Sequence, residues 1–239
     1  MSGLRETLQA NLRTVHDRIT KAARGAGRAA QAIELVAVSK TFPAEAVVAA
    51  TACGQHAFGE NYVQEAVAKI ARVRELAPDA PLSWHYIGPI QANKTRSIAE
   101  HFDWVQSVER LKIAERLSQQ RPPTMEPLNV LLQVNISGES SKSGVAPEDL
   151  PALARGVDAL PSLALRGLMA IPEPEAEPGR QVEPLQRMWV LFDTLRKDHP
   201  GMDTLSMGMS ADLEAAVAAG STMVRVGSAI FGQRERKVS

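Results

Sequence analysis

The sequence predicts an α/β protein in which parallel strands alternate with helices. Eight short apolar runs recur along the 239 residues, and helix-like segments follow most of them. Strands separated by helices pair in parallel through right-handed crossovers. No Gly-rich phosphate loop follows the first apolar run. The strand count and this missing loop favour a closed eight-stranded barrel over the alternative, an open doubly wound sheet.

The first element is a helix that precedes the alternating strands and helices. Apolar residues recur at helical spacing from Leu4 to Ala22, and the glycines at 25 and 27 end the pattern. The predicted strands follow at 33–39, 56–60, 83–88, 103–107, 129–135, 164–170, 204–207 and 222–226. The predicted helices between and after them are 43–52, 61–76, 91–100, 109–119, 147–158, 183–198 and 211–219.

Two stretches of the chain are rich in loop-forming residues, 137–144 and 172–184. The alternation of strands and helices resumes after each, so neither stretch divides the chain. We therefore predict one domain over residues 1–239.

The charge balance limits the classes of partner. Lys plus Arg and Asp plus Glu each number 27, and no long block of one sign occurs. This balance argues against nucleic acid or an anionic membrane as the main partner. The histidines lack helical i, i+4 partners and no cysteine pair exists, so a metal site has no support.

Cysteine usage and the N-terminus bear on the compartment. Cys53 is the only cysteine, so no internal disulfide can form and a reducing compartment is indicated. It lies among alanines on a predicted helix and is interpreted as a small core residue. The N-terminus has no apolar signal core, and no apolar run approaches ~18 residues. We expect a cytoplasmic protein, with a monomer as the simplest state.

Lys40 stands where the apolar run 35–38 ends. In a parallel barrel the C-terminal strand ends meet at one face, where active sites lie. Lys40 has two interpretations: its side chain extends along the strand end into solvent, or it is a Schiff-base lysine. Partial desolvation lowers the pKa of a lysine amine, and the neutral amine then attacks an aldehyde.

The segment VRVGSAIFG (224–232) predicts a phosphate site. Gly227 lets a ligand approach the backbone, Ser228 adds a hydroxyl, and the N–H groups of 227–229 open a short helix whose N-terminus favours an anion. Barrel enzymes often bind phosphate in the loops after strands seven and eight. Ser210, after the seventh strand, either adds a hydroxyl to this site or caps the helix that follows it.

Arg225 lies two residues before Gly227 on the same strand, so both point to one face. Either it forms a buried ion pair with a carboxylate, or it donates to a ligand atom such as an unprotonated pyridine nitrogen. For Trp84 and His85 a packed or locally bonded strand pair is the preferred interpretation.

Six segments, taken together, resemble the pyridoxal-phosphate homeostasis protein family. They cover nearly the whole chain in order: LVAVSKTFP, FGENYVQEA, WHYIGPIQANK, LLQVNISGESSKSGV, RGLMAIPE and LSMGMSADLEAAVAAGSTMVRVGSAIFG. Members of that family resemble the barrel domain of alanine racemase standing alone. The resemblance implies a single (β/α)8 TIM barrel with an extra N-terminal helix, alanine-racemase-like, of type III among pyridoxal phosphate (PLP) folds.

The resemblance also implies the cofactor and its ligands. PLP, a form of vitamin B6, would be linked to Lys40 as a Schiff base, with Arg225 facing the pyridine nitrogen. Ser210, Gly227 and Ser228 would hold the phosphate. Asn61 and Met169 would line the ring.

The implied function is intracellular PLP homeostasis by a cofactor carrier or regulator without robust turnover, with apo PLP-dependent enzymes as partners. The alternative is a PLP-dependent amino-acid racemase of weak or narrow activity. A racemase of this architecture needs a second base, supplied by an additional β domain. We expect none here, because the sequence stops seven residues after Gly232 (233–239). Tyr62 and Tyr86, the only tyrosines, are the remaining candidates for that base.

Lys142 generates a prediction about cofactor transfer. It lies in the loop-forming stretch 137–144, where a second amine would take the cofactor from Lys40 by transimination. Lys142→Ala should then keep the resting absorbance but transfer PLP to an apo-enzyme more slowly. A lysine that only attracts the phosphate predicts instead a loss of the salt-sensitive part of the binding rate. Transfer at the wild-type rate would exclude the relay.

Overall fold

Eight parallel strands close into a barrel in sequence order, so the barrel prediction is confirmed and the open sheet is wrong. The structure, a computed structural model, describes residues 2–138, 143–171 and 182–233; Lys142 lies outside them. The strands are β1 (Glu34–Val38), β2 (Ala57–Glu60), β3 (Ser83–Tyr86), β4 (Trp104–Val108), β5 (Leu128–Gln133), β6 (Leu163–Met169), β7 (Thr204–Ser206) and β8 (Met223–Val226).

Each predicted helix is present, with shifted ends. The helices are α1 (Ser2–Gly25), α2 (Ala44–Thr51), α3 (Val63–Leu76), α4 (Thr95–His101), α5 (Leu111–Gln120), α6 (Leu150–Asp158), α7 (Val182–Leu195), α8 (Leu213–Ala218) and α9 (Ser228–Phe231). Two short 3₁₀ turns precede β1 and α4. No helix in the described ranges is both long and apolar enough to cross a membrane.

Strand alternation divides the buried residues into two cores. Val36, Ala57 and Met223 pack together inside the barrel with Trp104 against them. Leu35, Ala37 and many other residues face outward and pack against the helices. Side chains alternate between the two sides of each strand. The same alternation, continued one or two residues past the end of a strand, indicates which of the following residues point toward the barrel axis.

A bulge in β6 changes this alternation. Val130 of β5 pairs with Leu165, but the next residue, Leu131, pairs with Gly167. The extra residue on β6 is typical of a β-bulge. Leu168 consequently packs in the outer core, whereas Met169 pairs with Ser206 of β7 and faces inward.

Helix α1 packs along the barrel beside α8 and α9. Its apolar stripe, including Leu8 and Val15, is buried. Two of its polar residues bond to the segments after β7 and β8. Arg18 donates to the Ser210 carbonyl at 2.9 Å, and Asn11 donates to the carbonyl of Ile230 in α9 at 2.8 Å. The extra helix therefore braces the segments that carry the predicted phosphate ligands.

Gly167→Ala should destabilise the fold severely. Gly167 has φ +151°, and an added Cβ would lie 1.7 Å from the Thr204 carbonyl oxygen. We expect the free energy of unfolding, measured in urea, to fall by about 3 kcal/mol or more. Gly25→Ala, at the end of α1 with nothing within 4 Å, is the control and should change it by at most about 1 kcal/mol. Equal effects of the two would show that the bulge does not constrain this strand pair.

Candidate functional site

Lys40 lies directly beyond the last bond of the β1–β2 ladder. The Ser39 N–H donates to the Gly59 carbonyl at 3.0 Å, and Ser39 is fully buried. The Ser39 hydroxyl points outward and donates to Glu60 Oε1 at 2.6 Å. Alternation therefore directs the half-buried Lys40 toward the barrel axis.

The chain turns sharply after Lys40. The Ser39 carbonyl accepts from the Phe42 N–H at 3.0 Å, which closes a four-residue turn with Lys40 and Thr41 at its centre. Thr41 has φ 71°, the one positive φ among the described residues other than glycine. A positive φ at the third residue characterises a type II turn, where glycine or asparagine is usual and a β-branched residue is strained.

Asn61 lies beyond β2 on the side of the sheet that faces the barrel axis. Gly59, two residues earlier, faces inward, because a Cβ added there would touch Val36 and Val38. The Asn61 Oδ1 atom is buried without a hydrogen-bond partner among the described residues. A buried polar atom without a partner is rare in proteins and indicates a missing ligand or water.

Arg225 is buried in β8 and points into the barrel. Its Nη1 donates to the Ser206 hydroxyl at 2.5 Å, and its Nη2 donates to the Ala170 carbonyl at 2.8 Å. Burial lowers the pKa of the guanidinium to about 10, with Asp212 opposing the shift. Arg225 is therefore cationic at neutral pH, and within the described ranges no carboxylate forms an ion pair with it.

A chain of hydrogen bonds continues from Arg225 through the barrel interior. Because arginine only donates, the Ser206 hydroxyl accepts from it and gives its own proton to Gln106 Oε1 at 2.7 Å. This orients the amide, so Gln106 Nε2 donates to His85 Nδ1 at 3.0 Å. The His85 Nε2–H then meets the Ser83 hydroxyl at 3.1 Å. His85 is thus neutral, and burial lowers the pKa of its imidazole to about 3.

Gly227, one of the predicted phosphate ligands, lies beside the end of β1. A Cβ added at Gly227 would lie 3.3 Å from the Val38 carbonyl oxygen. Gly227 precedes α9, and Ser228, at its first position, is exposed. The first N–H groups of a helix have no partner within the helix. Ser210 is half-buried in the turn after β7, but it does not cap α8: Asp212 occupies that position and bonds the Met209 N–H at 2.7 Å.

The remaining sequence predictions fall outside this site. Trp84 and His85 are buried and packed as expected, His85 stacking on Trp104 with ring centroids 5.3 Å apart. Cys53 is half-buried against the outer core in the turn after α2. Among the described residues, no group of three or more His, Cys, Asp or Glu is placed to hold a metal ion.

Sequence reasoning missed a buried cluster on the outer side of the Lys40 turn. Lys69 Nζ donates to the Ser39 carbonyl at 2.7 Å, to Glu60 Oε1 at 2.7 Å and to Glu65 Oε1 at 3.0 Å. Glu65 Oε1 also accepts from the Thr41 N–H at 2.6 Å. The Glu65–Lys69 spacing of four residues on an otherwise apolar helix face was the available signal. We name Ser39, Glu60, Glu65 and Lys69 the strand-end cluster.

The residues on the inner side suit PLP by the chemistry of their donors. Lys40 supplies an amine, Arg225 a cationic donor for a ring nitrogen, and the loop 227–228 main-chain and hydroxyl donors for an anion. Asn61 Oδ1 adds a buried acceptor for which the described residues provide no donor. The site therefore fits a ring that carries an aldehyde and a phosphate.

Comparison with known proteins places this fold and site in a class. Residues 6–235 match the family described as alanine racemase, N-terminal domain. The chain is 60% identical over 229 residues to the pyridoxal phosphate homeostasis protein of Pseudomonas aeruginosa, covering 96% of each. It is 56% identical over 225 residues to that of Escherichia coli K12, covering 94% of this chain and 96% of the relative.

A solved structure of PipY from Synechococcus elongatus with PLP bound is also similar. Its TM-score is 0.81 at 34% identity, and the match covers 94% of this chain and 100% of that one. The chain thus belongs to the pyridoxal phosphate homeostasis protein family.

The neutral imidazole of His85 makes stability depend on pH. Its pKa is about 3 in the fold against an ordinary 6.5, so below 6.5 the unfolded chain binds a proton that the folded chain does not. The free energy of unfolding should fall with pH by up to about 1.4 kcal/mol per unit between about pH 6.5 and about pH 4.

Urea unfolding across that range measures this slope. His85→Leu should flatten it, whatever its effect on absolute stability, because the titrating group is gone. His16→Gln, at an exposed position, should leave the slope unchanged. A slope retained in full by His85→Leu would contradict the assignment.

Proposed function

We propose that this protein binds PLP at the C-terminal face of its barrel and acts in PLP homeostasis as a carrier or regulator. The observation that carries the proposal is that Arg225 points into the barrel while Gly227 lies against the end of β1, the strand end from which alternation directs Lys40 to the same inner side. The PLP bound to PipY and the homeostasis role named for the Pseudomonas aeruginosa relative support it. The single cysteine supports a cytoplasmic location.

Lys40 would hold the cofactor covalently. Its side-chain amine would join the aldehyde carbon of the cofactor covalently, with the aldehyde oxygen released as water. The half-buried position excludes part of the solvent from this bond. The linkage holds a reactive aldehyde without consuming it, which is what storage or delivery requires.

Arg225 would donate to the pyridine nitrogen. A guanidinium that keeps its proton at neutral pH cannot supply a proton to the ring, so the ring stays a weak electron sink. The Ser206 hydroxyl and Ala170 carbonyl fix two of the five N–H donors of Arg225. The described residues provide no acceptor for the other three donors, which would be available to a ligand.

The other ligands complete the site. Gly227, Ser228 and Ser210 would bind the phosphate, with Ser210 held in place through its carbonyl by Arg18 of α1. Asn61 and Met169 would line the ring, since both lie on the inner side of the barrel, beyond the end of β2 and at the end of β6. PLP-dependent apo-enzymes are the expected recipients.

Racemase activity is the second candidate function, and the positions of the two tyrosines argue against it. Tyr86 is buried and donates to the Pro89 carbonyl at 2.9 Å and the Asn61 carbonyl at 3.2 Å. Burial raises the pKa of its hydroxyl to about 12, so it is a poor base at neutral pH. Tyr62 is 53% exposed and lies at the start of α3. Neither tyrosine is held as a second base opposite Lys40.

Lys40→Ala tests the covalent proposal. After borohydride reduction with PLP, peptide mapping of the wild type should place the label on Lys40, and the variant should lose it together with the visible absorbance. Lys94→Ala, at a half-buried lysine ahead of α4, is the control and should keep the label. A label wholly on another lysine would refute the assignment.

Chirality measurements on the loaded wild type separate the two functions. Incubation with L-alanine and other L-amino acids should give no racemisation above a slow background. Turnover at about 1 s⁻¹ or faster, which is ordinary for an enzyme, would contradict the carrier role.

A further inference from the structure

The strand-end cluster places charged side chains inside an apolar layer, where charges are costly to bury. Lys69 is 6% exposed and Glu60 is fully buried. The three acceptors around Lys69 use all three of its N–H donors. A buried ion pair is weak evidence for stability, since apolar residues of similar size often replace it without loss. The cluster therefore calls for an explanation other than stability.

The geometry of the cluster centres on Lys40. The ammonium of Lys69 fixes the carbonyl of Ser39, the residue before Lys40. The carboxylate of Glu65 fixes the N–H of Thr41, the residue after it. Glu60 fixes the hydroxyl of Ser39 from the outer side of the sheet. The main chain on both sides of Lys40 is thus bonded to one group of charges.

The strain in the turn shows why such bonding is needed. Thr41 holds φ 71°, which a β-branched residue leaves unless its surroundings maintain it. The Thr41 N–H bond to a carboxylate favours this conformation. Without this hydrogen bond, Thr41 would leave the positive-φ conformation. Lys40 lies beyond the last hydrogen bond of the β1–β2 ladder, so the direction of its side chain would then no longer be fixed.

We propose that Lys69, Glu65 and Glu60 are positioning residues that aim Lys40 at its ligand from the opposite side of the sheet. The three residues lie in the outer layer, on the side of the sheet away from the proposed cofactor site. The inference rests on the proposed function, in which Lys40 forms the covalent link.

Glu65 provides the sharpest test, because two substitutions separate geometry from charge. Glu65→Gln keeps an oxygen acceptor for the Thr41 N–H, whereas Glu65→Ala removes it. We expect Glu65→Ala and Lys69→Met to slow the covalent capture of PLP, followed by absorbance, by about tenfold or more, because small misplacements of a reacting group are costly. Glu65→Gln should stay within about twofold of the wild type, because the acceptor to Thr41 is retained.

Arg72→Met is the matched control for Lys69→Met. Arg72 lies on the same helix but is exposed, with Glu75 at 2.8 Å, so its loss should change neither capture nor labelling. Urea unfolding checks each fold. If Lys69→Met does not fold, the Glu65 pair decides alone, because Glu65 is partly exposed in the first turn of α3.

A second readout uses the protein without cofactor. Trace acetylation with acetic anhydride, mapped by mass spectrometry, reports how accessible the Lys40 amine is relative to exposed Lys21 of the same chain. A released turn exposes Lys40, so Glu65→Ala and Lys69→Met should label Lys40 faster while capturing PLP more slowly. General loosening of the structure would instead speed both the acetylation of Lys40 and the capture of PLP. That result would overturn the proposal.

Two further outcomes are distinguishable. Wild-type rates of capture and labelling in both Glu65→Ala and Lys69→Met would show that the cluster does not position Lys40. If the wild type itself forms no link through Lys40, the proposed function fails, and the acetylation ratios still decide whether the cluster sets the direction of Lys40.

Discussion

Closure of eight parallel strands gives every second side chain a direction toward the barrel axis, and the candidate site depends on this alternation. Lys40 and Asn61 lie beyond the regular strands, so their directions follow from the last paired residues, Val38 and Gly59. Arg225 needs no such extension, because it lies within β8. Met169 faces inward only because the bulge before it adds one residue to β6.

The two sides of the sheet stabilise different parts of the site. On the inner side, uncharged groups from Ser206 to His85 orient Arg225 without neutralising it, and burial lowers the pKa of His85 to about 3. On the outer side, Lys69 and two carboxylates surround the turn at Lys40. Burial raises the pKa of Glu60, with Lys69 opposing the shift. The site thus combines the Arg225 cation, which neutral acceptors orient, with Lys40, whose neighbouring main-chain groups bond to charged side chains.

Much of this arrangement was predictable from the sequence, for a physical reason. Strands buried on both sides are short apolar runs, so the eight strands stand out, as do Lys40 just beyond the end of β1 and Arg225 within β8. The end of α1 and the helix after Gly227 follow from glycine positions. The residue types alone left two interpretations of Lys40 open. The family resemblance then indicated the cofactor and, with it, the Schiff-base interpretation.

The parts that could not be predicted depend on contacts between distant segments. Nothing local reveals that Gln106 joins Ser206 to His85, since the three lie on different strands. The bulge at Gly167 depends on the pairing of β5 with β6, and a glycine at this position is not by itself enough to predict it. Ser210 was a plausible cap for α8, but the helix starts three residues later, behind Asp212. Glu60 ends an apolar strand, and only the fold shows that Lys69 reaches it.

The most direct test of the account is a crystal structure of the protein grown with PLP. The account predicts continuous electron density from Lys40 Nζ to the cofactor, a guanidinium nitrogen of Arg225 within hydrogen-bond distance of the ring nitrogen, and the phosphate at the 227–228 loop. It also predicts the Glu65 bond to the Thr41 N–H unchanged. Density for the cofactor on another lysine, or a carboxylate at the ring nitrogen in place of Arg225, would contradict it.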